Sequence, residues 1–127
     1  MRSKLLIVDD NDELREAVIR FLEDQNDLDL DIDQASSGEL AIEVAKLNKP
    51  DIVLMDLRLP KMNGIDAAYR IKEDLPHCEI IMLTMFEVES FKKIYAKDQI
   101  VTIIPKSELY ERLIPVLRKC LSRKKVP

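Results

Sequence analysis

Leu5-Leu6-Ile7-Val8-Asp9-Asp10 is the stretch on which the fold of this chain turns: four aliphatic residues, then two adjacent carboxylates. A continuous apolar run of this length suits a strand covered on both faces, because side chains then meet a core on either side of the sheet. Three later runs end in the same way. Ile52-Val53-Leu54-Met55 stops at Asp56, Ile80-Ile81-Met82-Leu83 at Thr84, and the run from Ile100 to Pro105 at Lys106. Three carboxylates, a hydroxyl and an ammonium at strand ends are the groups needed to bind a divalent cation and a phosphoryl group.

Between these runs lie amphipathic segments. Leu14, Ala17, Val18, Phe21 and Leu22 recur at helical spacing behind Asn11 or Asp12, either of which suits an N-cap. Leu28, Leu30 and Ile32 alternate with acids up to Ala35, as in a strand nearer a sheet edge. Ser36-Ser37-Gly38 offers a turn and cap before a second stripe of Leu40, Ala41, Val44, Ala45 and Leu47. After Asp56 a loop runs to Asn63, with Pro60 fixing its backbone and Gly64 expected to supply permissive dihedrals. Ile65, Ala68, Ile71 and Leu75 mark a third helix. Val88, Phe91, Ile94 and Tyr95 mark a fourth, ending near Lys97. Ser107 starts a last helix in which Pro115 is expected to kink or weaken a turn. Five strands alternating with five helices specify an α/β fold, a doubly wound parallel sheet with right-handed crossovers. In such sheets ligands bind beyond the carboxyl ends of the strands, where all the polar residues above fall.

The 127 residues suit one domain, and 46% hydrophobic with 35% charged residues is ordinary for a globular protein. A net charge of −4 argues against nucleic acid binding by this segment. Its one basic cluster, Arg118, Lys119, Arg123, Lys124 and Lys125, reads as a solvated last helical turn and a frayed tail. The domain boundary is therefore expected near residue 122, with residues 123–127 as a basic tail or the start of a linker. Cys78 and Cys120 are too few for a disulfide framework or a zinc site, and both read as small core residues suited to a reducing compartment. His77, the single histidine, reads as a loop residue. The first apolar run is too short for a signal peptide or a membrane span, so a cytoplasmic protein with no membrane partner is expected.

Asp9, Asp10 and Asp56 in one crevice would repel unless a cation joined them, and magnesium is the natural one for hard oxygen ligands. Taken singly, the acid pair could be a helix cap, Thr84 a β-branched strand end, and Lys106 a solvated lysine at a helix start. Taken together, they describe a carboxylate facing a cation and a lysine, which can act as a nucleophile toward phosphorus.

At these residues the chain resembles the receiver domain of bacterial response regulators, from about Lys4 to Leu121. The most specific stretch is Asp56-Leu57-Arg58-Leu59-Pro60-Lys61-Met62-Asn63-Gly64. The resemblance implies a flavodoxin-like sheet of strand order 2-1-3-4-5. It also implies that Asp56 accepts a phosphoryl group from a phosphohistidine on a sensor histidine kinase or phosphotransfer protein. Asp10 and Asp56 would bind Mg2+ directly, Asp9 through water, with the backbone carbonyl of Arg58 completing the protein ligands. Lys106 would pair with the phosphoryl group and Thr84 would turn its hydroxyl onto it. The loop wording and Pro105-Lys106-Ser107 look most like the NarL-like class, whose members usually carry a DNA-binding helix-turn-helix and control transcription. A homodimer formed on phosphorylation is a further implied partner.

The chain departs from the common family pattern at three neighbours of the site. Ile103 stands where Tyr or Phe is frequent, Ser107 where proline is, and Met85 where a small residue is, so that Met85 is expected to narrow access to Asp56. Met85 and Ile103 suggest one rival, a receiver acting purely as an interaction module without phosphate. An aspartate-nucleophile phosphohydrolase is the other, and it would want an acid where Arg58 stands.

Overall fold

Leu5 to Val8 lie in the second position of a five-stranded parallel sheet, ordered β2-β1-β3-β4-β5, in a computed structural model that describes residues 2–85 and 101–124. In chain order the elements are β1 (Ser3–Val8), α1 (Asp12–Glu23), β2 (Leu30–Ala35), α2 (Gly38–Asn48) and β3 (Ile52–Asp56). They continue with α3 (Gly64–Asp74), β4 (Glu79–Thr84), β5 (Val101–Pro105), a 3-10 turn (Lys106–Glu108) and α4 (Leu109–Lys124). The helix expected over Val88 to Lys97, and Ile100 at the expected start of β5, lie outside the described residues. Four α-helices are therefore seen among the described residues.

Alternation along the strands builds two cores. Leu6, Val8, Val53, Met55, Ile80 and Met82 face α2 and α3, with Ala41, Ala45, Ala68 and Ile71. Leu5, Ile7, Ile52, Leu54, Ile81 and Leu83 face α1 and α4, with Val18, Leu22, Leu113 and Leu117. Burial on both faces explains why residues 5–8 of β1, 52–55 of β3 and 80–83 of β4 are apolar without a break. β2, at the edge, keeps Asp31 and Gln34 exposed between buried Leu30 and Ala35, and polar edge residues discourage pairing with other chains.

Helix starts follow local chemistry. Asn11 Oδ1 accepts from the Leu14 N–H, Ser37 Oγ from Leu40 and Asn63 Oδ1 from Asp66, so α1, α2 and α3 each have a side-chain cap. Of the two caps expected for α1, Asn11 is the one used. β2 begins at Leu30 because Leu28 donates to the Gln25 carbonyl in a turn. α4 runs through Pro115 to Lys124 as one element. Pro115 and Glu111, whose carbonyl loses its helical donor there, are both exposed, so water can take the freed carbonyl.

Cys78 and Cys120 are buried, in opposite cores, and His77 is exposed. The basic cluster is less free than its composition suggested: Arg118 pairs with Asp27 at 2.8 Å and Arg123 with Glu79 at 3.1 Å. Among the described residues, no helix is long and apolar enough to cross a membrane.

Candidate functional site

Parallel register delivers the polar strand ends to one edge of the sheet. Val8 pairs with Met55, Asp56 with Leu83, and Thr84 with Pro105, so Asp9, Asp56, Thr84 and Lys106 follow one another across β1, β3, β4 and β5. Each of Asp9, Asp10 and Asp56 offers a carboxylate oxygen within 4.8 Å of those of the other two. Asp9 and Asp56 are 2% and 5% exposed, whereas Asp10 is open to solvent. Thr84 is buried at the end of β4.

Hydrogen bonds fix Asp56 on both oxygens. The Arg58 N–H donates to Oδ1 at 3.1 Å, and Lys106 Nζ donates to Oδ2 at 2.9 Å. Lys106 Nζ also stands 3.3 Å from Asp9 Oδ2, an ion pair whose alignment is too poor for a hydrogen bond. Asp9 Oδ1 accepts from the Asn11 N–H at 2.9 Å, while Oδ2, fully buried, accepts no hydrogen bond among the described residues. Burial pushes the Asp9 carboxyl above its usual range, and the Asp56 charge adds to that; the Asn11 N–H and Lys106 pull the other way without prevailing. For Lys106, burial alone would lower the pKa, but Asp56 and Asp9 outweigh it and hold the ammonium above its ordinary value.

Three clustered carboxylates share the single Lys106 ammonium, and the buried Asp9 Oδ2 has that ion pair but no hydrogen bond, so negative charge is left for a cation; a three-carboxylate, all-oxygen set suits a hard divalent ion such as Mg2+. Asp9, Asp10, Asp56 and Lys106 are thus brought together, with Thr84 on the neighbouring strand end. Of the neighbours, Met85 is 76% exposed. Ile103 is half-buried against the core that holds Met82. The Lys106–Ser107 peptide is trans.

Two features were not visible beforehand. Gly64 was expected to matter for its dihedrals, yet its φ is not positive, and it is Lys61 that takes the left-handed conformation, at φ 66°. Space is what Gly64 provides: a Cβ there would lie 2.4 Å from the Asp56 carbonyl oxygen and 3.1 Å from Met82 Sδ. The other is Arg15. Its guanidinium donates to the Asp9 carbonyl, to Asp12 Oδ1 and, at 3.0 Å, to Gln34 Oε1. Nothing in the sequence separates Arg15 from an ordinary arginine on the polar face of a helix.

The family model described as "Response regulator receiver domain" matches residues 5–118. The chain belongs to the response regulator receiver family. This receiver domain is 40% identical over 86 residues to the response regulator protein VraR of Staphylococcus saprophyticus, covering 68% of this chain and 41% of the relative. VraR of Staphylococcus aureus matches to the same extent. The chain thus spans about two fifths of the length of these curated relatives. Among solved structures, a response regulator receiver domain protein from Clostridium thermocellum superposes with a TM-score of 0.80 at 26% identity over 98% of both chains. A signal receiver domain of an HD domain-containing protein from Pseudomonas fluorescens gives 0.85 at 21% identity over the whole of both chains, a likeness of fold.

Proposed function

We propose that this receiver is a phosphorylation switch in which Asp56 is the phosphoacceptor. The observation that carries the reading is Asp56 itself. It is buried at the end of a central strand, hydrogen-bonded to Lys106 and beside two further carboxylates. A carboxylate oxygen of Asp56 attacks the phosphorus of a phosphohistidine on a sensor histidine kinase or phosphotransfer protein. The phosphorus–nitrogen bond breaks and the imidazole leaves with the bonding pair, taking a proton.

Asp10 and Asp56, with the Arg58 carbonyl, would hold Mg2+ directly, and Asp9 would hold it through water. Bound there, the ion neutralises charge on the phosphoryl oxygens. Lys106 then exchanges its bond with Asp56 Oδ2 for one with a phosphoryl oxygen, keeping its charge at the strand end. The Thr84 hydroxyl donates to another. Phosphorylation adds negative charge and acceptor oxygens at one point, which biases the surface that partners read. The relatives are regulators of which the matched stretch covers 41%, and that likeness supports an output such as transcription control or dimerisation.

Acetyl phosphate or a phosphoramidate with Mg2+ is expected to add one phosphoryl group to the wild type and none to Asp56→Asn, read by intact mass. Equal labelling of the two proteins would remove Asp56 from the role.

A further inference from the structure

Asp10 is the exposed acid of the cluster, and no side-chain hydrogen bond orients its carboxylate among the described residues. Its direction is set by its backbone, and that backbone is held from outside. The peptide joining Asp9 to Asp10 carries the Asp9 carbonyl, which accepts from Arg15 Nη1. The Arg15 side chain is only 11% exposed, and its three nitrogens reach three acceptors on different segments. Gln34 belongs to β2, Asp12 opens α1, and the Asp9 carbonyl lies in the loop between β1 and α1. A planar guanidinium bonded in this way fixes the plane of one peptide relative to the sheet and the helix.

We propose that Arg15 is a positioning residue of the acidic cluster: it holds the Asp9–Asp10 peptide so that the Asp10 carboxylate faces Asp9 and Asp56. This rests on the reading of the cluster as a Mg2+ site. The guanidinium acts on the ion only through Asp9 and Asp10, and hydrogen-bond partners behind metal ligands matter in this way, at about 10–100-fold in affinity.

Charge and position predict opposite signs, which makes the inference testable. Arg15 is a cation near a cation site, so removing it on electrostatic grounds alone would tighten Mg2+ binding. Loss of positioning would weaken it. Mg2+ is titrated into wild type, Arg15→Met and Arg15→Lys, followed by calorimetry and by the amide resonances of residues 9–12, with circular dichroism to report folding. Arg15→Met is expected to bind Mg2+ about tenfold more weakly. Equal or tighter binding would overturn the inference while leaving the Mg2+ site intact.

Should Arg15→Met fail to fold, Arg15→Lys decides. It keeps the charge, yet one ammonium cannot hold three separated acceptors, so weaker binding is expected. Affinity equal to wild type would show the guanidinium to be dispensable. Failure of the wild type to bind Mg2+ would instead sink the reading of the site, and this inference with it.

Discussion

Burying Asp9 to 2% exposure beside Asp56 leaves one of its oxygens facing Lys106 at 3.3 Å with no hydrogen bond among the described residues. Its carboxyl is accordingly held above the usual value of 3.8, by burial first. The folded state therefore binds this proton more tightly than the unfolded state does. The stability linked to Asp9 is complete below 3.8 and is lost as pH rises through the raised value. Without metal, ionising this buried carboxyl costs stability, and Asp9→Asn is expected to be more stable than wild type at pH 7 by about 1 kcal/mol. Urea denaturation in chelator checks this: the gap should close as pH falls from 7 toward 4, and a variant less stable than wild type at pH 7 would contradict it. The sequence made Asp9 legible as an acid at a strand end. It could not say that Asp9, rather than Asp10, is the buried one, because burial depends on neighbours brought in from β2 and β5.

Helix α3 shows how an element can be readable while its docking is not. Its apolar spacing and its end before Pro76 follow from local pattern, and the structure adds that Asn63 caps it. The reason for Gly64 does not. Gly64 begins α3 directly under the last residue of β3, donating its N–H to the Leu57 carbonyl at 2.8 Å, with no room for a methyl group beside the Asp56 carbonyl. A second contact ties the same loop down, where Met62 Sδ lies 3.1 Å from the place a Cβ on Gly38 would occupy, at the start of α2. Gly64→Ala must push α3 away from β3, or move the backbone of Asp56, and overpacking of this kind costs about 2 kcal/mol. Chemical denaturation is expected to show that loss, together with slower labelling by acetyl phosphate; stability and labelling equal to wild type would refute the account. β2 began two residues later than its alternation implied, since Leu28 satisfies its N–H in a turn, a competition that side-chain pattern does not register.

Across the whole molecule, the sheet is a graded structure. β1, β3 and β4 carry apolar side chains on both faces, while β2 lies at the edge with polar residues outward. Amides of Leu6, Ile7, Val53, Leu54, Ile81 and Met82 are expected to exchange with deuterium only through global unfolding, and those of Ile32 to Gln34 through smaller openings. Equal protection in β2 and β3 would count against this grading. The succession of strands and helices and the strand ends on which the polar residues sit were present in the sequence, since run length, alternation and capping are local properties of a chain; the strand order came only through the family resemblance. What the tertiary structure decided were the pairings. Lys106 meets Asp56 from fifty residues away, Arg15 reaches back to the Asp9 carbonyl and across to Gln34, and Gly64 fits under Asp56. Those contacts exist only once parallel register sets the strand ends side by side, and no local pattern carries information about which side chain then fills the space between them.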